Sequence, residues 1–200
     1  SDLLKDWLDS GDDDATTGLS GAESDFYSAL DPPRTIRNGP VLHLDELTQV
    51  RGLDRDYLYG SQDVPGIAGF LTPFGVSADA ENALSFDGAI NINTASLLVL
   101  AAMLPAESAD LAEAIFEYRQ EAVEDDMVDL FEDPTWYRNA PGCADLQIAP
   151  DLVAVSSDLF RIEATAAIEE RKLSAVAVIH RVKDPESGRW YAEILRRETR

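Results

Sequence analysis

The chain of 200 residues contains one cysteine, Cys143, and two histidines, His43 and His180. A single cysteine excludes an intrachain disulfide within this sequence. The histidines are far apart and show no ligand spacing, which argues against a zinc site or a Cys–His nucleophile pair. No apolar run approaches the length of a membrane span, and no signal peptide is recognisable. Positive charge is also scarce, with 16 Lys+Arg against 38 Asp+Glu and a formal net charge of −22. The shortage is uneven. From Arg161 onward there are nine basic and seven acidic residues, so the first 160 residues carry seven basic against thirty-one acidic. Such an acidic portion repels phosphate backbones and anionic lipid heads, and suits cations, basic protein partners or a salty exterior. A hydrophobic content of 45% is enough for a core, in one sizeable domain or two small ones.

The densest acidity lies near the start. Asp2 can cap a short helix in which Leu3, Leu4, Trp7 and Leu8 share one face, and Gly11 is placed to end it. Ser20 and Glu23 have the spacing of a capping box ahead of Ala22, Phe26, Ala29 and Leu30, until Pro32 and Pro33 stop the run. Between the two helices, Asp9, Asp12, Asp13 and Asp14 repel one another unless they are solvated or neutralised by a cation. From Asp12, the calcium-loop positions 1, 3, 5, 7 and 12 fall on Asp12, Asp14, Thr16, the Gly18 carbonyl and Glu23. Position 6 is Thr17 where the template has glycine, and Glu23 has a competing role in the capping box. Two readings stand: a solvated acidic loop, or an irregular Ca²⁺ site with oxygen ligands.

Further along, Leu44, Leu47 and Val50 mark a short helix, with Gly52 placed to end it. Asp54 can cap a brief turn through Tyr57 and Leu58 before Gly60. Residues 64–75 form a loop whose Ile67, Phe70, Leu71 and Phe74 are expected to fold back onto the body. Asp87-Gly88 signals a small hairpin between residues 84–86 and 89–90. Asn93 or Thr94 can cap a helix with Leu97, Leu100, Ala101 and Leu104 on one face, followed after a short link by a helix through Leu111, Ile115 and Tyr118 to about Gln120. This pair resembles the helix-hairpin-helix unit of DNA-binding proteins, in which glycine amides reach a phosphate. The link Pro105-Ala-Glu-Ser108 has no glycine and carries an acid, so the unit is expected to be a packing module. Asp125, Asp126, Asp129 and Asp133 form a second acidic cluster, a solvated helix face or a weaker cation candidate. Trp136 and Tyr137 are expected to be buried.

From Leu159 the period becomes two. Phe160, Ile162, Ala164, Ala166 and Ile168 alternate with Arg161, Glu163, Thr165 and Ala167 as in a half-buried strand. Leu173 to Val182 should be the more central strand. A turn at Asp184-Pro-Glu-Ser-Gly188 then leads into Trp190 to Leu195, giving a three-strand antiparallel meander. Such a sheet needs a helix or more strands on its apolar face.

With these pieces assembled, the chain resembles the minor pseudopilin K family of the type II secretion system. The resemblance rests on Asp6-Trp7-Leu8-Asp9 with the acidic loop after it, Gly21-Ala-Glu23 ahead of Tyr27, Leu44-Asp-Glu-Leu47 with Val50-Arg51-Gly52, and Ile90-Asn-Ile-Asn-Thr-Ala95. The stretch from Val155-Ser156 through Phe160 and the later strands also fit, so the resemblance covers nearly the whole chain. It implies an α+β fold. Residues 1–150 would be an acidic helical domain of helix-hairpin-helix or SAM-like units, inserted in a pilin-like sheet whose antiparallel strands are residues 151–200. It implies no catalysis. It implies a periplasmic place at the pseudopilus tip, beside minor pseudopilins I and J and near H, starting assembly of the filament that exports folded proteins. Calcium in the helical domain is also a family feature, which favours Asp9, Asp12, Asp14 and Glu23 as ligands, with Thr16 added by the calcium-loop template.

The family's prepilin cleavage site, hydrophobic N-terminal helix and first strand region are absent from this sequence. The resemblance therefore implies a soluble portion of a protein anchored in the inner membrane before assembly. Gly11 stands where an acid is common in the motif, and Cys143 alone cannot make the disulfide of some members. Two other function classes compete with this one: a nucleic-acid-binding helix-hairpin-helix protein, which fails on charge and glycine content, and an acidic hydrolase, for which no paired-carboxylate spacing is recognisable.

Overall fold

The computed structural model describes residues 2–8, 24–36, 38–62, 64–78, 84–86, 88–169 and 171–199. It divides into two compact units, Ser1–Asp87 and Gly88–Arg200.

The first unit holds α1 (Asp2–Leu8), α2 (Ser24–Ser28) and α3 (Arg55–Tyr59) with 3-10 turns at Leu44–Gln49 and Ile67–Phe70. Its core is Trp7, Tyr27, Ile36, Leu47, Val50 and Leu58, with Leu3, Leu4 and Leu8 packed against it, as the spacing of α1 predicts. The Trp7 and Tyr27 rings meet edge to face at 5.0 Å. Tyr27 Oη accepts from the Arg51 N–H at 3.1 Å, giving the buried phenol a partner. Asp54 caps α3 through the Tyr57 N–H, as expected. After α3 the chain crosses itself where Gly60 and Gly66 meet backbone to backbone. A Cβ on Gly66 would lie 2.2 Å from Gly60 N, so neither position accepts a side chain. Ile67 packs against the core as expected, whereas Phe70 and Leu71, at the end of the 3-10 turn, stay exposed.

The expected Asp87–Gly88 hairpin does not form as read. Residues Leu84–Phe86 (β2) pair backwards, antiparallel, with Val76–Ala78 (β1). Ile90–Asn91 (β3) pairs in parallel with Val153–Ala154 (β4) in the second unit, which occupies the backbone groups the hairpin would have used.

The second unit continues with α4 (Leu97–Met103) and α5 (Leu111–Glu124), several 3-10 turns, and the sheet of β5 (Leu159–Ile168), β6 (Arg171–Lys183) and β7 (Trp190–Thr199). Ser96 caps α4, accepting from the Val99 N–H, so neither Asn93 nor Thr94 is the cap. Both are spent in the preceding turn, where Asn91 Oδ1 accepts from the Asn93 N–H and the Asn91 carbonyl accepts from the Thr94 N–H. Leu97 is consequently exposed while Leu100 and Leu104 are buried. Trp136 and Tyr137 are buried as expected, with Trp136 stacked on Tyr118 and edge-on to Phe131. The sheet runs β5-β6-β7, all antiparallel, with the β6 strand central as read.

Candidate interaction surface

Two-residue periodicity places Phe160, Ile162, Ala164, Ala166 and Ile168 on one face of β5. The register puts Ile179, Ala177, Ala175 and Leu173 of β6 beside them. On β7 it adds Ile194 and, across from Arg181 and Lys183, Ala192 and Trp190. The outcome is an apolar face over β5 and the facing part of β6, bordered on β7 by Ile194, Arg197 and Thr199 and at one end by Arg181 and Lys183. A bulge between Val178 and Ile179 shifts the β7 register near Leu195. The opposite face is mostly polar at its outer strands, with the ion pairs Arg161–Glu163 and Arg196–Glu198 and a Thr165–Ser174 hydroxyl bond of 2.8 Å.

The sequence predicts that the apolar face is half-buried, but among the described residues nothing covers it. Ile162 is 49% exposed, Leu173 58%, Ile194 63% and Ile168 76%, and no residue of the three strands belongs to either core. The physical reason is that pairing satisfies the backbone of a meander without any second layer, so alternation alone does not reveal what lies over the face. A contiguous exposed apolar surface of this kind marks an interaction site.

At one end of the face, Arg181 is fixed in place. Its Nε and Nη2 donate to Asp158 Oδ1 at 3.1 and 2.9 Å, and its guanidinium lies 4.7 Å from the Trp190 ring centre and 5.8 Å from that of Phe160. Its N–H also donates to the Asp158 carbonyl, so one residue joins the segment before β5 to the middle of the sheet. Aromatic contact and a charge-assisted bond each restrict the long side chain.

A second group of residues orients the sheet's approach segment. Asn93 Nδ2 donates to the carbonyls of Phe131 and Val155, and its Oδ1 accepts from Trp136 Nε1 at 2.7 Å. Asn91 Nδ2 donates to Ser157 Oγ, and the buried Arg119 donates to the Ile92 carbonyl at 2.7 Å. Burial pulls the Arg119 guanidinium below its ordinary value, since desolvation disfavours the cation. Sequence reasoning missed these roles and read Asn93 as a helix cap. The signal was present: two asparagines alternating with isoleucines are poor strand residues, retained only where amides are spent on backbone.

The metal candidates Asp9, Asp12, Asp14, Thr16 and Glu23 lie outside the described residues, as do Gly11 and the Ser20 capping box. In the second acidic cluster the structure gives its members separate duties. Asp125 ends α5 and Asp126 adopts φ 58. Asp133 accepts from the Thr135 N–H and hydroxyl, which hold its carboxyl below the usual range. Among the described residues no three His, Cys, Asp or Glu side chains gather as a metal site. His43 precedes the 3-10 turn at Leu44–Gln49, and His180 lies in β6 opposite Leu159 and Glu193. Cys143 is buried in the helical core, which pushes its thiol up. The link between α4 and α5 carries Glu107 and no basic residue, and nothing supports a nucleic-acid reading. Among the described residues no helix is long and apolar enough to cross a membrane.

Residues 1–59 match the family described as type II secretion system, protein K. No curated protein matches the chain by sequence. A solved structure with the same fold is a chain in the GspK-GspI-GspJ complex of the enterotoxigenic Escherichia coli type 2 secretion system, at a TM-score of 0.54 and 20% identity. The alignment covers 99% of this chain and 61% of that one, so the present chain spans about three fifths of the length of the chain it matches. The resemblance read from the sequence is thus borne out: residues 1–59 match the type II secretion system protein K family, and the chain shares its fold with the matched chain over nearly its whole length.

Proposed function

We propose that this chain is the periplasmic part of a non-enzymatic minor pseudopilin, docking onto partner pseudopilins of the I and J type through the apolar face of its three-stranded sheet. Residues 151–200 are then the strands of a pilin-like sheet, and residues 1–150 the acidic insertion carried on it. The observation that carries this reading is the uncovered apolar face, where Ile162, Leu173 and Ile194 are all more than 45% exposed. Fully burying a side chain of this size contributes about 1.5–3 kcal/mol and covering one already half-buried roughly half of that, so several covered together drive association. The matched solved chain comes from a complex with GspI and GspJ, which supports the choice of partners. The bulky acidic portion blocks addition of further subunits above it, so the subunit caps the pseudopilus tip and starts assembly, with H-type pseudopilin as the next neighbour. Before assembly the full-length protein resides in the inner membrane.

Ca²⁺ belongs to the same reading. The candidate ligands Asp9, Asp12, Asp14, Thr16 and Glu23 are all oxygen donors, the chemistry this ion takes. The carboxylate of Asp6, just ahead of the acidic stretch, is fully buried. Asn38 Oδ1 is a buried acceptor without a hydrogen-bond partner among the described residues, on a residue whose N–H donates to the Trp7 carbonyl of α1. Bound Ca²⁺ would neutralise the repulsion among the loop carboxylates. Linkage then adds about 2.7 kcal/mol at one hundred times the dissociation constant. A chelator should lower the melting temperature, and Asp12→Ala should reproduce the effect; a melting curve indifferent to chelator contradicts the metal.

The direct test is sedimentation velocity of the chain mixed with soluble domains of the cognate I and J pseudopilins and Ca²⁺. A ternary species supports the proposal. Three independently sedimenting proteins oppose it.

A further inference from the structure

The first unit contains a feature that the pseudopilin reading leaves unused. Across residues 1–87 there are seventeen Asp and Glu and only five Lys and Arg. In such a background arginines ordinarily find carboxylate partners. Yet two of the five, Arg34 and Arg51, line one open cleft of about 350 Å³ between α2 and the turn at residues 48–54. Its apolar lining includes Phe26, Leu30 and Leu53.

Among the described residues both guanidiniums are held by neutral groups. Arg34 Nη1 donates to the Gln49 carbonyl at 3.0 Å, and the Arg51 guanidinium carbon lies 4.7 Å from the Phe26 ring centre. Neither forms an ion pair with a described residue. Among the described residues the one carboxylate lining the cleft, Asp54, already accepts from the Tyr57 N–H at 2.7 Å. What remains is two cationic forks with spare N–H donors beside an apolar surface, a combination that recognises a carboxylate on an apolar carrier.

We infer that this cleft binds a carboxylate-bearing peptide segment, an Asp or Glu side chain flanked by apolar residues, with Arg34 and Arg51 as the carboxylate-binding residues. The inference stands apart from the proposed docking face, since it rests on residues of the first unit and not on β5–β7. The cleft volume lies at the lower end of small-ligand sites, so the segment is short, and its two exposed arginines give modest affinity that weakens with salt.

The test is a titration of the ¹⁵N-labelled chain with N-acetyl-Leu-Glu-Phe-amide, its Gln counterpart, and N-acetylglutamate, following backbone amides and arginine Nε–Hε signals. The Glu peptide should saturably shift Arg34, Arg51 and Gly52 and bind about tenfold more tightly than the Gln peptide. Arg34→Gln and Arg51→Gln should each remove most of that preference, with melting temperatures near that of the parent. Arg51→Lys should retain part of it, because charge remains and the fork is lost. N-acetylglutamate binding as tightly as the peptide would overturn the peptide assignment and make a free carboxylate the ligand. No saturable shift, or equal affinity for the Glu and Gln peptides, would overturn the site itself.

Discussion

The helical part of the second unit and its sheet spend apolar residues in opposite ways. Around Trp136, the residues Ile92, Leu100, Ile115 and Tyr137 are withdrawn from water. On the sheet, residues of the same kind, Ile162, Leu173 and Ile194, face outward. The helical part is stabilised by side-chain packing. The sheet is held by its ladders and by local bonds such as Arg181 with Asp158. It follows that substitutions in the first region should be read in stability, and substitutions in the second in association.

The largest effect is expected for Trp136→Ala, which removes a fully buried ring stacked on Tyr118 and should cost about 3–5 kcal/mol in denaturant unfolding. A loss below about 1 kcal/mol would mean that this core is not what holds the helical part. Asn93→Ala comes next. It leaves the Trp136 indole N–H and the Phe131 and Val155 carbonyls without their partner, and should cost about 1–3 kcal/mol. Because Val155 leads toward β5, the same variant should speed hydrogen exchange in residues 153–158, which a purely local defect at Trp136 would leave unchanged.

Ile162→Glu should change unfolding of the isolated chain by no more than about 0.5 kcal/mol, yet remove it from the complex with the I and J domains. Glu163→Gln, one position away on the opposite face, should alter neither. If both variants assemble normally, the apolar face is not the docking surface. The smallest effect concerns the turn into β7. Asp184 accepts from the N–H groups of Ser187 and Glu186, which holds its carboxyl below its ordinary value. A carboxyl depressed on folding contributes stability above its unfolded value, and that contribution is lost as pH falls through the folded one. Urea midpoints of Asp184→Asn and parent should therefore differ above about pH 4 and converge only as pH falls below that, through the depressed folded value.

Much of this fold was legible because periodicity reports on local geometry. The α1 stripe ending in Trp7 and Leu8, the Asp54 cap, the burial of Trp136 and Tyr137, and the order of the three strands all follow from spacing and turn chemistry. The failures share a cause, namely backbone partners distant in sequence. Ile90 and Asn91 pair with Val153 and Ala154 across some sixty residues, and this non-local ladder displaces the hairpin that Asp87-Gly88 suggests. The same ladder draws Asn93 away from the helix and leaves Ser96 to cap it. Exposure of the sheet was illegible for another reason: alternation says which residues share a face, but not whether that face meets its own chain or another. The Arg34–Arg51 cleft was invisible because each arginine is unremarkable in sequence and their meeting depends on how α2 packs beside the following turn.

Hydrogen exchange measured on the chain alone and mixed with the soluble I and J domains is the most direct test of the central claim that the sheet is built to be covered. The account predicts slower exchange across residues 159–199 in the mixture, with α4, α5 and the turn carrying Trp136 unchanged. Protection confined to the helical residues, or none on the sheet in a mixture that does assemble, would contradict it.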